Sequence, residues 1–201
     1  MKIKIYIEGG GSSPLQDTQF RAAWATFFEK AGLRALRKMP ATFRGSGRNQ
    51  TFDAYCTAVK TRRPVELPLL LVDSEDVVPE GLSSWQHLKK RDGWDQPVGA
   101  SEDDAFLMAT CMETWLVADR EALRNYFRNC WKNNALPEWP DLAKVERGRV
   151  FQALVQATAA CGKKQYAKGS VSFDVLQHID PAIVQQRCPF ARDLIERLRG
   201  A

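Results

Sequence analysis

The sequence predicts an α/β protein: a parallel, doubly wound sheet of about four strands with a C-terminal helical extension. Three observations carry that reading. Stretches of β-branched and apolar residues alternate with segments of helical periodicity through the first two-thirds of the chain. One strand candidate, 65–72, is apolar on both faces, as a central parallel strand is. Beyond residue 136 the pattern is helical throughout, following the break Leu136-Pro137-Glu138-Trp139-Pro140. Parallel strands need crossover helices on both faces, which fits four β-α alternations followed by helices.

The elements follow in order. Residues 2–8 alternate Lys2, Lys4, Tyr6 and Glu8 with Ile3, Ile5 and Ile7, reading as a strand that stops at Gly9-Gly10-Gly11. Over 17–33, Phe20, Ala23, Trp24, Phe27, Phe28 and Ala31 recur at helical spacing, and Gly32 ends the helix. A short strand over 39–43, a glycine-containing loop and a helix over 51–61 come next. The apolar strand then ends in Asp73-Ser74-Glu75-Asp76. A short helix over 85–91 leads into the turn-rich stretch 92–101, which is too long for a simple connector and is expected to lie over the carboxyl ends of the strands. Residues 105–109 give a fourth strand, and 112–127 a helix. Further helices are expected near 142–159, 173–179 and 191–198. The break at 136 divides the chain into an α/β domain, 1–135, and a helical extension packed on it, 136–201.

Composition narrows the function classes. The chain has 201 residues, 44% of them hydrophobic, so it can bury a core and is not a disordered segment. No stretch approaches the roughly 20 apolar residues of a membrane span, and the first residues form no signal-peptide block. Cysteines 56, 111, 130, 161 and 188 are odd in number and include no C-x-x-C pair, and only His87 and His178 could assist them. Neither a disulfide framework nor a zinc site is expected, and a cytoplasmic protein without a membrane partner is. The two histidines read as surface or capping residues. With 29 Lys+Arg against 24 Asp+Glu, the net charge of +5 is compatible with a polyanionic partner without requiring one.

The chemistry is expected where strands end. Ligands of open parallel sheets bind outside the carboxyl ends of the strands, where strand order reverses. Strand one ends at Glu8 and the apolar strand at Asp73-Ser74-Glu75-Asp76. If the two are neighbours their carboxylates converge, and such a cluster needs a hard cation, Mg2+ or Mn2+, to offset its repulsion. Asp73 and Glu75 point to the same side of a strand, whereas Asp76 does so only if the chain turns, so the ligand beside Asp73 is Glu75 or Asp76. Glu8 would position or deprotonate a nucleophile. Gly9, Gly10 and Gly11 let backbone approach a phosphate closely. Arg48, one of a basic group with Arg34, Arg37, Lys38 and Arg44, is a candidate phosphate contact. Glu113, near a helix start, is a further acid, and Lys168 is placed to neutralise a scissile phosphate. Neither the P-loop nor the dinucleotide-binding pattern is present, and Ser12 and Ser13 have no evident His partner.

Ile5-Tyr6-Ile7-Glu8-Gly9-Gly10 and Leu70-Leu71-Val72-Asp73-Ser74-Glu75-Asp76 resemble the two signature motifs of the TOPRIM fold of topoisomerases, bacterial primases and several nucleases, including the overcoming-lysogenization-defect nucleases. The chain is more closely similar to a bacterial family of unknown function in that group, at Glu8-Gly9-Gly10-Gly11, Val72-Asp73-Ser74-Glu75-Asp76, Arg91-Asp92-Gly93-Trp94-Asp95, Cys111-Met112-Glu113-Thr114-Trp115, Ala118-Asp119 and Tyr166-Ala167-Lys168-Gly169. The resemblance implies that Glu8 is the general acid or base and that Asp73 and Glu75 hold magnesium; where the signature has a second Asp, this chain has Glu75 followed by Asp76. It implies a magnesium-dependent nuclease on DNA or RNA, with an AAA or ABC-type ATPase as partner in anti-phage defence. The alternative is a non-catalytic adaptor that keeps the scaffold and docks on that ATPase.

Overall fold

A computed structural model describes residues 1–9 and 13–201. The expected strands form, with β1 at Lys2–Glu8, β2 at Ala41–Gly45, β3 at Glu66–Asp73 and β4 at Ala105–Met108. Between them lie α1 (Pro14–Lys30), α2 (Arg48–Thr61) and α3 (Ser84–Asp92). After β4 come α4 (Met112–Ala118), α5 (Arg120–Phe127), α6 (Arg147–Ala157), α7 (Ser170–His178), α8 (Pro181–Arg187) and α9 (Pro189–Gly200). All four strands are parallel, in the order β2-β1-β3-β4. The chain leaves β1 toward β2 and then returns past it to β3, so strand order reverses between β1 and β3. Ile7 pairs with Leu71 there, which makes Glu8 and Asp73 neighbours at the carboxyl edge.

Period-two alternation sorts the side chains into two layers. Ile3, Ile5 and Ile7 of β1 and Leu67, Leu69 and Leu71 of β3 face α1 and the helices that follow β4, in one core that runs from Ile3 to Leu198. Leu70 and Val72 of β3, with Leu107 of β4, face α2 and α3 through Tyr55, Val59, Trp85 and Leu88. One face is thus covered by the crossovers α2 and α3, while α1 alone cannot cover the other. The segment beyond residue 136 completes that second layer and shares its core. Its aromatic centre is Trp24, stacked on Phe28 and edge-on to Trp115, with Phe27 stacked on Trp115; such pairs add about 0.5–1.5 kcal/mol each beyond burial.

Local chemistry sets the element ends. Ser13 caps α1 by accepting from the Gln16 N–H at 3.2 Å, and Pro14 occupies the first turn, so the helix begins three residues before its apolar stripe suggests. Gly45 is required where β2 meets α2, because a Cβ there would lie 1.8 Å from Thr51 Oγ1. The helix expected over 112–127 is broken at Asp119. Its Oδ1 accepts from Ala122 N at 3.0 Å, capping α5, and its Oδ2 accepts from Asp180 N at 2.9 Å. The expected helix at 142–159 begins as a 3₁₀ turn, Leu142–Lys144, before α6, and α8 was not expected at all.

Three expectations are corrected. The stretch after Asp92 does not remain over the carboxyl edge. Trp94 stacks on Phe52 with ring centroids 4.2 Å apart, and Gly99 accepts from Arg62 at 2.7 Å, so the loop descends along α2 to the amino edge. The cause is topological, since the parallel strand β4 has to start there. His87 is buried, not at the surface, and its Nε2 donates to the Ser74 carbonyl at 2.9 Å. Cys130 and Cys161 form a disulfide with their Cα atoms 5.0 Å apart. They are 31 residues apart in sequence, and only the packing of the helical segment brings them together. Among the described residues, no helix is long and apolar enough to cross a membrane.

Reduction of the Cys130–Cys161 bond, or Cys161→Ser, is expected to lower unfolding free energy by about 4 kcal/mol, the loop-closure entropy of a segment of this length. Urea titration with and without a dithiol reductant measures it, and unchanged midpoints would show that the bond does not form in solution.

Candidate metal centre

The carboxyl edge between β1 and β3 gathers the acids. Carboxylate oxygens of Glu8, Asp73 and Glu75 lie within 4.8 Å of one another. Oxygens bound to one magnesium ion are about 3.0 Å apart when adjacent and about 4.2 Å when opposite, so side-chain movements on the ångström scale would close the trio on a cation. The donor set also fits, being all oxygen and all carboxylate, as hard divalent cations prefer.

Each acid is fixed by one oxygen. Glu8 Oε2 accepts from Arg48 Nη1 at 2.8 Å and from the backbone N–H of Asp73 at 3.2 Å. Asp73 Oδ1 accepts from Met112 N, at the start of α4, at 2.8 Å. Glu75 Oε2 pairs with Arg91 at 3.5 Å and with Arg147. Among the described residues, protein bonds to these acids fall on that single oxygen in each case, which leaves the other for a ligand.

The choice between Glu75 and Asp76 is resolved by backbone. β3 ends at Asp73, but Ser74 N and Glu75 N still bond to Met108 O and Thr110 O at 2.9 and 2.8 Å. Glu75 takes the left-handed conformation, φ 66°, which turns its side chain back to Asp73. Asp76 is 74% exposed and pairs with Arg91 at 3.1 Å, outside the trio. It is thus removed from the expected ligand set.

Arg48 is likewise reassigned. Its guanidinium donates to Glu8, to the Asp73 carbonyl at 2.6 Å and through two nitrogens to Asp92 at 2.9 and 2.7 Å, and it lies 5.0 Å from the Trp94 ring centroid. Burial works against its charge, but Asp92 and Glu8 outweigh that and raise its pKa further. Burial likewise works against Asp92, yet Arg48 holds its carboxyl below the usual range. With its donors committed, Arg48 orders the acids and is not free for phosphate.

Gly9 packs between Arg44 of β2 and Phe20 of α1, where a Cβ would come within 3.2 Å of Arg44 Cγ and 3.4 Å of the Phe20 ring, and its carbonyl accepts from Arg44 Nε at 3.3 Å. The expected phosphate contacts Gly10 and Gly11 lie outside the described residues. Glu113 is buried behind Asp73. Tyr166 donates to its Oε1 at 2.9 Å, and Lys168 Nζ lies 3.8 Å from the same oxygen while 60% exposed. Burial, then Glu113, raises the Tyr166 pKa far enough that the hydroxyl keeps its proton and donates. Glu113 and Lys168 line a cavity of about 430 Å³ together with the trio. Sequence reasoning placed Glu8, Asp73, Glu75, Glu113 and Lys168 together but missed Asp92, Tyr166, Arg91 and Arg147 as partners. For Asp92 the signal was its seat at the end of a helix beside a glycine.

The fold and the site define a doubly wound α/β protein with a carboxylate cluster where strand order reverses. Residues 18–199 match the family model described as Domain of unknown function (DUF4276), and the chain belongs to that family. The match includes every expected site residue but Glu8, Gly9, Gly10 and Gly11, which precede it. No curated protein and no solved structure matches the chain.

Burial, followed by the neighbouring Glu8 and Glu113, raises the Asp73 pKa well above the ordinary carboxylate range. The folded protein therefore holds a proton that the unfolded chain releases, and this contribution to stability is lost as pH rises from about 4 through the raised value. Without divalent cations, Asp73→Asn is expected to raise the melting temperature at pH 7, because Asn keeps the bond from Met112 N and removes the charge. A lower melting temperature for the variant would contradict the repulsion.

Proposed function

We propose that the protein is a magnesium- or manganese-dependent phosphoesterase, and specifically a nuclease. The observation that carries this reading is the convergence of Glu8, Asp73 and Glu75 within 4.8 Å at the point of strand reversal. The nucleic-acid substrate, DNA or RNA, rests on the resemblance to TOPRIM enzymes, whose motif order, strand-Glu-Gly then strand-Asp-x-acid, is matched here by two adjacent parallel strands. The ATPase partner rests on that resemblance alone, and the cytoplasmic setting on the composition of the sequence.

Asp73 and Glu75 would hold the cation, with Glu8 beside them. A divalent cation there supplies Lewis-acid charge at a scissile phosphate. The remaining roles belong to the chain. Arg48 and the Asp73 N–H fix one oxygen of Glu8, so its other oxygen faces the cavity in one orientation, ready to take a proton from an attacking water. Lys168, at the rim, is long and exposed enough to meet a non-bridging phosphate oxygen. Glu113, buried behind Asp73, makes that corner more anionic, and Tyr166 holds its carboxylate in place.

The test is Mn2+ binding by calorimetry together with cleavage of DNA and RNA, with and without ATP and any ATPase encoded beside it. Glu8→Gln and Asp73→Asn are expected to lose cleavage by orders of magnitude while melting as folded proteins. Asp73→Asn should also weaken Mn2+ binding at least tenfold, since a charged donor is lost. Asp76→Asn should change neither. Full cleavage by folded Asp73→Asn would exclude the reading, and wild type without cleavage or Mn2+ binding would leave the adaptor role in its place.

A further inference from the structure

Resting on the metal-site reading, we infer that Arg147 is a second phosphate-binding residue of this centre beside Lys168, held in reserve by Glu75 until a divalent cation takes that carboxylate. Two arginines touch Glu75, and they differ in what else they do. Arg91 is tied on all sides: beyond Glu75 it pairs with Asp76 at 3.1 Å and with Asp92. Arg147 has Glu75 as its one ion-pair partner among the described residues, and its side chain is 53% exposed. Its guanidinium therefore has donors to spare and solvent on one side, as a group that binds an incoming anion needs.

Its position is built rather than accidental. Glu75 N donates to Thr110 O at 2.8 Å, and Thr110 Oγ1 donates to Val145 O at 2.8 Å. Arg147 opens α6 two residues later. One buried threonine thus joins the backbone of the metal-site acid to the segment that presents the arginine, which fixes where the guanidinium meets Glu75.

Charge gives the exchange its direction. The pair joins a half-exposed guanidinium to a largely buried carboxylate, and solvent on the arginine side weakens it, whereas a dication shared with Asp73 and Glu8 offers Glu75 a stronger partner. Once Glu75 turns to the cation, the guanidinium is left beside a centre whose negative charge has been neutralised. A phosphate diester or monoester bridging cation and fork satisfies both. Cation and phosphate therefore bind with positive coupling, and each raises affinity for the other by the same factor.

The experiment is titration calorimetry on the full chain with Mn2+ alone, then with phenylphosphonate, a phosphate mimic without a cleavable ester bond, on the Mn2+-loaded protein. The variants are Arg147→Ala and Arg147→Lys, each checked by a circular-dichroism melt. Removing the competing cation should make Arg147→Ala bind Mn2+ about threefold more tightly. The same variant should bind phenylphosphonate about tenfold more weakly in the loaded state, with part of the loss restored in Arg147→Lys. Weaker Mn2+ binding by Arg147→Ala would show that Arg147 merely props Glu75 in place, and an unchanged phenylphosphonate affinity would show that it does not meet phosphate; either result overturns the inference while leaving the metal centre standing. Wild type that binds no Mn2+ removes the centre and the inference together.

Discussion

The arrangement at the carboxyl edge depends on Arg48. Parallel pairing of β1 with β3 places two acids side by side, and β3 then brings a third back to them. Carboxylates this close repel unless something positive stands among them. Arg48 comes from the first turn of α2, on the opposite side of the sheet from α1, and reaches Glu8, the Asp73 carbonyl and Asp92 in one planar fork. Trp94 and Phe52 stack beneath it, so the guanidinium has one pose. Lysine could not replace it, since three rotatable donors on a point charge do not span an acid on β1 and another at the end of α3. The tight junction of Gly45 with Thr51 matters for the same reason, because it fixes where α2 begins relative to the strand ends.

The other side of the site comes from the segment beyond residue 136, which is more than a cover for the sheet. Tyr166 and Lys168 precede α7, whose side chains pack on α1, and Ser172 and Phe173 of that helix border the same cavity as Asp73. The Cys130–Cys161 bond fastens the chain five residues before Tyr166. Consequently the acids stand on the early strands, while the groups that set Glu113 in place arrive late in sequence on helical scaffolding.

Most of the fold was legible because parallel sheets write themselves into sequence. β3 is buried on both faces, so its run of Leu69, Leu70, Leu71 and Val72 could be nothing else, and the aromatic stripe of α1 had helical spacing. Glu8 and Asp73 were legible for the same reason, as polar residues that end apolar strands. What escaped was whatever depends on long-range geometry. Asp119 breaks a helix through bonds to Ala122 and to Asp180, 61 residues away, and no local pattern announces the second. Glu75 prevails over Asp76 through one left-handed residue, a conformation that a non-glycine residue gives no sign of adopting. Arg48 looked like one of several surface cations until the packing of Trp94 removed it from solvent.

Each acid of the trio is anchored on one oxygen by a different kind of donor, and the differences rank their mobility. Asp73 is held by backbone, through Met112 N, and cannot move without shifting the start of α4. Glu8 is held by one backbone N–H and one enclosed guanidinium, so it can rotate only within that frame. Glu75 is held by side chains alone, one of them an arginine half in solvent. A cation entering the edge would therefore find one fixed ligand, one nearly fixed and one adjustable, and the ångström-scale closing of the trio falls to Glu75. This gradation, more than the count of carboxylates, distinguishes the edge from an ordinary acidic turn, where every member is free to move away from its neighbours.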